Sequence, residues 1–208
     1  MSGLWVSIDG VEGAGKTTLC RALAGSLGVD VCPEFSSASI GRALESAVRV
    51  NPHYISRSNI GQSLFFIGDF YETYESNVKP AIDMGRTVLS DRGFLSKYSY
   101  QVAALEGELG LDHAKRYVRH LLSECVPPHL TVYLSAPFEV LRVRLLERDG
   151  SCEQSRLDFM ARAQDIAVRE LTEFPGMKSL VFENETDVYS VVAAVKFALI
   201  EMQARQPR

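Results

Sequence analysis

A glycine-rich loop that directly follows an apolar run constrains this chain more than any other feature. The loop fits the pattern G-x-x-x-x-G-K-[ST] and consists of Gly10, Val11, Glu12, Gly13, Ala14, Gly15, Lys16, Thr17 and Thr18. Residues 4–8 before it read as a buried strand, and residues 17–27 after it favour a helix. Backbone N–H groups in such a turn, with a helix N-terminus behind them, form a concave site for anionic oxygens. We therefore predict a nucleoside triphosphate site rather than a glycine turn that binds no nucleotide.

Two side chains of this phosphate-binding loop (P-loop) add specific chemistry. Lys16 is expected to place a positive charge near the β- and γ-phosphates. Thr17 is expected to supply a hydroxyl to Mg²⁺, which bridges the phosphates and offsets charge during phosphoryl transfer.

The composition is that of one globular domain, residues 1–208. The chain is 46% hydrophobic and 23% charged, which is enough for a sizeable core. Its net charge of −4 gives no general attraction to nucleic acid or to an anionic membrane. No apolar run reaches the roughly 20 residues of a membrane span, and the first strand begins too early for a signal peptide. We expect a cytoplasmic protein without a polynucleotide partner.

The four cysteines, Cys20, Cys32, Cys125 and Cys152, are widely scattered. They lack the spacing of a zinc site, so we expect reduced and mostly packed thiols.

Strand-like and helical patterns alternate along the chain. Apolar runs at residues 4–8, 29–32, 87–90, 130–134 and 179–182 predict five strands, with helical patterns between them. This alternation predicts an α/β fold, in which a parallel sheet lies between two layers of helices. A long helical region, about residues 36–82, separates the second and third strands and is a candidate acceptor-binding insertion. Pro80 is expected to bend or end its last helix before Gly85.

An acidic and a basic residue follow the third strand. Asp91 and Arg92 should lie at the carboxyl edge of the sheet, beside the P-loop, where ligands bind in open α/β folds. Asp91 is a candidate for positioning Mg²⁺, and Arg92 for binding a phosphate. The alternative is an ion pair on the surface.

These residues begin the pattern D-R-x-x-x-S-x-x-x-Y-Q, which continues with Ser96, Tyr100 and Gln101. With it, the chain resembles the thymidylate kinases, which are P-loop nucleoside monophosphate kinases. The resemblance covers nearly the whole length, and it rests further on Glu12, Pro33-Glu34-Phe35, Gly41, Leu64-Phe65-Phe66, Asp69, Lys79-Pro80 and Gly85.

The resemblance implies that the γ-phosphoryl group of ATP is transferred, with Mg²⁺, to the 5′-phosphate of a pyrimidine deoxynucleotide. By position, Phe66 would stack on the acceptor base, although core packing explains its apolar surroundings equally well. Arg92 would bind the acceptor phosphate and, with Glu34, organise the acceptor end. Glu12 would contact the acceptor sugar, and Tyr100 and Gln101 the sugar or base. Thymidylate kinases are generally dimers through helices, so a homodimer is implied, and apolar positions in residues 58–82 and 97–105 are its candidate interface.

A polar stretch after Leu146 is the candidate lid, about residues 148–156. Arg148 is the first candidate for the cation that stabilises the moving phosphoryl group, ahead of Arg144 and Arg156. The alternative is an arginine that points outward from its helix.

The chain departs from the family pattern at the acceptor end. Pro33 and Phe70 stand where arginines are usual, and Lys97 stands where a small polar residue is usual near the base. Arg42 and Arg57 are candidates to replace the lost charge. These departures leave open whether the acceptor is dTMP, a related pyrimidine nucleotide or another small phosphorylated molecule.

Two other functions remain possible from the sequence. A deoxynucleoside kinase would use Glu34 as the base that takes a proton from a 5′-hydroxyl. An ATP-binding regulator would need neither an acceptor pocket nor an arginine-rich lid.

Overall fold

A computed structural model of the protein describes residues 3–50, 58–173, 177–183 and 187–204. The strands are β1 (Trp5–Gly10), β2 (Val31–Cys32), β3 (Val88–Asp91), β4 (Leu130–Ser135) and β5 (Ser179–Glu183). The helices are α1 (Lys16–Leu27), α2 (Ser39–Val50), α3 (Asn59–Thr73), α4 (Lys79–Asp83), α5 (Phe94–Leu109), α6 (Leu111–Leu121), α7 (Phe138–Asp149), α8 (Gln154–Glu173) and α9 (Val188–Ala204).

The five strands form one parallel sheet in the order β2-β3-β1-β4-β5. The predicted fold class is confirmed, and each strand was predicted to within two residues at either end. All six residues of β1 are buried, as expected for the central strand of a sheet covered on both faces. Ile8 of β1 lies opposite Asp91 of β3 and Val132 of β4. This register brings the carboxyl ends of the three strands to the edge where the P-loop leaves β1.

Helices α1 and α9 pack together on one face of the sheet, and α5 covers the other with α3, α6 and α8 around it. On the first face Leu19 and Leu23 of α1 share a core with Val191 and Val195 of α9. On the second face Trp5 is buried with residues of α3 and α5. The site described below is therefore supported by a packed layer on either side.

The predicted helical region, residues 36–82, includes residues 51–57, which lie outside the described part of the chain. After this gap, α3 continues through a π-helical turn, Tyr74–Val78, directly into α4. The helix ends at Asp83, before Gly85, as Pro80 predicts. The proline ring crowds the carbonyl four residues earlier, and the wider π-helical turn just before it relieves that contact.

The amphipathic pattern of residues 112–125 predicts a helix, but α6 ends earlier, at Leu121. The backbone carbonyl of Leu121 accepts a hydrogen bond from the hydroxyl of Tyr71 at 2.8 Å, and that hydroxyl also accepts one from the backbone N–H of Glu124. This contact with α3 favours a turn where local sequence favours a helix.

The structure also bears on the cysteines and on the hydropathy of the helices. All four cysteines are free, and Cys20, Cys32 and Cys125 are buried. No helix within the described ranges combines the length and the hydropathy that crossing a bilayer requires.

Candidate active site

The P-loop has the backbone that phosphate binding requires. Gly10, Gly13 and Gly15 have φ values of 143°, 76° and 93°, which L side chains rarely adopt. A Cβ at Gly10 would also lie 2.4 Å from the backbone oxygen of Leu134. The turn thus requires glycine, and it leads directly into α1, which begins at Lys16.

Lys16 is buried, and its Nζ donates a hydrogen bond to the Val11 backbone oxygen at 2.8 Å. Burial and the nearby Arg92 lower the pKa of Lys16 to about 8, against the opposing effect of the carboxylates Glu34, Asp91 and Glu12. The anionic oxygens of a bound triphosphate would favour the protonated form of this side chain.

The two residues predicted to hold a metal ion lie together. The Thr17 hydroxyl donates a hydrogen bond to Oδ2 of Asp91 at 2.9 Å. One hydroxyl and one carboxylate fit Mg²⁺, which binds few protein ligands and completes its octahedron with phosphate oxygens and water. In the described ranges no group of three or more His, Cys, Asp or Glu side chains forms a separate metal site.

Arg92 is largely enclosed at the junction of the P-loop and the predicted acceptor side, and it does not form a surface pair with Asp91. It has a φ of 71°, in the left-handed region, and its side chain is only 9% exposed. Its Nη1 donates a hydrogen bond to the backbone oxygen of Gly10 at 3.0 Å, and its Nε lies 2.9 Å from Oε1 of Glu34. Its Cζ lies 5.0 Å from the ring centroid of Tyr100. The backbone conformation thus directs the guanidinium into the site.

Glu34 is the carboxylate that two buried cations share. Lys97 Nζ lies 4.0 Å from the same Oε1 that pairs with Arg92. Burial of Glu34 acts to raise its pKa, but Arg92, Lys97 and Lys16 outweigh burial and hold the pKa below its ordinary value. Burial and Arg92 lower the pKa of Lys97, while Glu34 acts to raise it.

Two adjoining cavities of about 1130 Å³ and about 60 Å³ occupy this edge of the sheet. The larger is lined by the P-loop, Asp91 and the lid arginines, which suits a nucleoside triphosphate. The smaller is lined by the predicted acceptor residues Phe66, Ser96, Lys97, Tyr100 and Gln101, with Phe35, Gln62 and Phe159. Glu12, Glu34 and Arg92 line both cavities, as do the apolar residues Phe35 and Val48. The phosphates of two ligands would therefore meet beside Arg92, which is the cation among these residues.

All three lid arginines reach the P-loop. Arg144 Nη1 donates a hydrogen bond to the backbone oxygen of Gly13 at 2.9 Å. Arg156 forms a close ion pair with Oε2 of Glu12 and is 10% exposed, whereas Arg148 lies 3.5 Å from the same oxygen and is 55% exposed. Asp149 also pairs with both arginines, with Arg148 at 2.6 Å and with Arg156 at 2.9 Å. Because of these pairs, the pKa of Asp149 falls to about 2.

One departure from the family pattern, at position 70, has a structural basis. Phe70 is buried, with its ring centroid 6.4 Å from that of Trp5, so position 70 belongs to the core. Arg42 turns back to Ser37 and Ser39 in its own segment, and it does not line either cavity. Arg57 lies outside the described residues.

Two supporting residues carry roles that the sequence patterns did not reveal. Asp9 is fully buried, and its Oδ1 accepts hydrogen bonds from the backbone N–H groups of Gly93 and Ser96 at 3.0 and 2.9 Å. It thereby caps the N-terminus of α5, which carries several of the predicted acceptor residues. Asp69, which entered only as a match to the family, accepts hydrogen bonds from the backbone N–H and hydroxyl of Ser36. For Asp9, the one local sequence signal of this role is its position directly before the glycine-rich loop.

A P-loop on a 2-3-1-4-5 parallel sheet, an adjoining smaller cavity and three arginines that reach the loop are typical of P-loop nucleoside monophosphate kinases. Comparison with known proteins narrows this class, since the thymidylate kinase family matches residues 8–190. The chain belongs to the thymidylate kinase family. It is accordingly a phosphotransferase that phosphorylates a nucleoside monophosphate with ATP.

Individual relatives agree with this assignment. The chain is 31% identical over 176 residues to a thymidylate kinase of Bacillus cytotoxicus, with 82% of each protein covered. It is 29% identical over 174 residues to a probable thymidylate kinase of Pyrobaculum aerophilum, covering 81% of this chain and 83% of the relative. The crystal structure of thymidylate kinase from Ehrlichia chaffeensis has the same fold, with a TM-score of 0.70 at 19% identity, covering 96% of this chain and 99% of the other.

Proposed function

We propose that the acceptor is dTMP and that the product is dTDP. The relatives named above are thymidylate kinases, and the observation that carries the proposal is the junction of the two cavities at Glu12, Glu34 and Arg92. A ligand phosphate beside Arg92 would lie next to the triphosphate end of the P-loop. This arrangement suits transfer from one phosphate to another, because proximity and orientation supply much of the catalysis in phosphoryl transfer.

The donor end is organised by the P-loop amides, Lys16 and the Thr17–Asp91 pair. Lys16 stabilises negative charge on the β- and γ-phosphates, and its buried position strengthens that interaction. Thr17 and Asp91 would hold Mg²⁺, which would offset the negative charge of the phosphates. Lys16, Thr17 and Asp91 together hold the γ-phosphoryl group in line with the acceptor.

The acceptor end is organised by α5 and by the residues that follow β2. Arg92 binds the acceptor phosphate, and Tyr100 packs against the guanidinium. Glu12 binds the acceptor sugar, Phe66 stacks on the base, and Ser96 and Gln101 line the base cavity.

Different lid arginines serve different parts of the site. We assign to Arg148 the role of stabilising the moving phosphoryl group. It lines the donor cavity, and it is the more exposed of the two arginines near Glu12. Arg156 is nearly buried, and its pairs with Glu12 and Asp149 suit it to holding Glu12 in place.

A deoxynucleoside kinase is the less favoured function. Its base would be Glu34, but this carboxylate is paired with Arg92 and has a lowered pKa. Such a carboxylate accepts a proton poorly.

We also propose that two copies associate through α3. Leu64 and Phe65 are 46% and 50% exposed, and Gly68 leaves open space on the same side of the helix. The other predicted interface segment, in α5, is buried within one copy at Val102 and Leu105. Sedimentation equilibrium should give a dimer, and Phe65→Glu should give a monomer of unchanged circular dichroism.

The activity is tested by a coupled ADP-release assay over matched nucleosides and nucleoside 5′-monophosphates. We expect turnover of dTMP and none of thymidine. Lys16→Ala, purified in parallel, should abolish the signal and so exclude a contaminating kinase. Turnover of nucleosides alone would overturn the proposal.

A further inference from the structure

Lys97 is a buried cation within the base cavity. Its side chain is 5% exposed, and it lies one turn into α5. Its Nζ lies 5.3 Å from the ring centroid of Phe35 and 5.6 Å from that of Phe66. All three side chains line the small cavity. The ammonium is therefore held beside the ring proposed to stack on the acceptor base.

Two cations, Arg92 and Lys97, and two carboxylates, Glu12 and Glu34, line the cavity, and Glu12 is paired with Arg156 of the candidate lid. The nearest carboxylate, Glu34, lies 2.9 Å from Arg92 but 4.0 Å from Lys97, so it pairs chiefly with Arg92. The two buried aspartates nearby are engaged with other groups: Asp69 with Ser36, and Asp9 with the start of α5. An ammonium in this position is suited to a ligand that supplies an electron-rich atom.

An ammonium discriminates between polar groups because it carries three donors and no acceptor. Four neutral polar side chains of the cavity carry both a donor and an acceptor, so they can suit either partner: Gln62, Ser96, Tyr100 and Gln101. Arg92 also carries donors only, but it pairs with Glu34 at 2.9 Å. Position 70 adds no donor to the cavity, because Phe70 is packed against Trp5. Among the residues lining this cavity, Lys97 is thus well placed to distinguish a carbonyl oxygen from an amino group.

We propose that Lys97 donates a hydrogen bond to the carbonyl oxygen at position 4 of the acceptor pyrimidine and thereby selects 4-oxo over 4-amino pyrimidines. This inference rests on the proposed function, since it names the group of the acceptor base that the site reads. A 4-amino group would direct N–H donors at the buried ammonium, and both would lose a partner. Sites that pair with a particular polar group discriminate strongly against analogues that lack it.

The test compares two pairs of acceptors that differ in the pyrimidine at position 4: dTMP with 5-methyl-dCMP, and dUMP with dCMP. For the unmodified protein, kcat/KM should favour the 4-oxo member of each pair by about 100-fold or more. Lys97→Met should lower kcat/KM for dTMP and dUMP and bring both ratios to within about threefold of one, while KM for ATP stays the same. Lys97→Arg, which keeps the donors, should keep the preference.

Lys115→Met is the matched control, because Lys115 is another largely enclosed lysine beside a carboxylate, 3.0 Å from Glu170 and outside both cavities. It should leave both ratios unchanged. If Lys97→Met melts too low for kinetics, Lys97→Gln should also bring the ratios close to one, because an amide can pair with either group. Unchanged ratios in an active Lys97 variant would overturn this inference alone. Failure of the unmodified protein to phosphorylate any of the four monophosphates would overturn the proposed function with it.

Discussion

Replacing Arg92 separates its contribution to stability from its contribution to acceptor binding. The side chain is 9% exposed and pairs with Glu34, which is 32% exposed. Removing one member of a buried ion pair costs about 3–5 kcal/mol, because the other charge is left uncompensated. Glu34 keeps some contact with water and lies 4.0 Å from Lys97, so Arg92→Ala should lie near the lower end, about 3 kcal/mol.

The double variant Arg92→Ala, Glu34→Gln removes the uncompensated charge as well. Its free energy of unfolding should recover by about 1–2 kcal/mol relative to Arg92→Ala. Acceptor binding should not recover, because neither variant has the guanidinium. Loss of one charge-assisted hydrogen bond to a phosphate, about 2 kcal/mol, should raise KM for dTMP about 30-fold in both variants.

Urea unfolding gives the stability difference, and initial rates at saturating ATP give KM for dTMP. KM for ATP serves as the internal control and should change little. The assigned role of Arg92 would be wrong if either variant bound dTMP normally. It would also be wrong if the double variant regained its affinity together with its stability.

Three further predictions concern the donor end, the packing around α2 and the lid. The affinity for ATP, measured by calorimetry, should fall as pH rises through about 8, because Lys16 loses its proton there in the free protein, and Lys16→Met should remove this pH dependence. Gly41→Ala should lower the free energy of unfolding by about 1–3 kcal/mol, since its Cβ would lie 2.2 Å from a backbone oxygen and 2.7 Å from a carboxylate; an unchanged urea midpoint would contradict the packing. Arg148→Ala should lower kcat about 10³-fold with little change in the acceptor KM, whereas Arg156→Ala should chiefly raise that KM, and a reversed pattern in steady-state kinetics would exchange the two roles.

Several parts of the site could be predicted from sequence, because they depend on local backbone conformation or on the order of strands and helices. The P-loop needs glycines at positive φ, and its motif therefore records a conformation directly. Asp91 and Thr17 were predicted together because parallel strands end at one edge of the sheet, and their 2.9 Å contact agrees with this reasoning. The pattern of buried strands likewise predicted the sheet.

Other parts depend on where long side chains pack, which sequence spacing does not determine. Arg144, Arg148 and Arg156 all reach the P-loop, and only the packed structure shows that Arg156 is the more buried of the two that contact Glu12. The burial of Lys97 between two phenylalanines could not be read from its position on α5.

Phe70 is another residue whose role depends on side-chain packing. Its position suggested a missing acceptor contact, whereas its side chain is a core group beside Trp5. The direction of a side chain at one helix position follows from tertiary packing, which the sequence pattern around it does not specify.

The most direct test of the proposed function follows the transferred phosphate itself. ATP labelled at the γ-phosphate is incubated with dTMP, and separately with thymidine, and the labelled products are separated by chromatography. We predict label in dTDP from dTMP and no labelled product from thymidine. Label in dTMP from thymidine, with none in dTDP, would contradict the account.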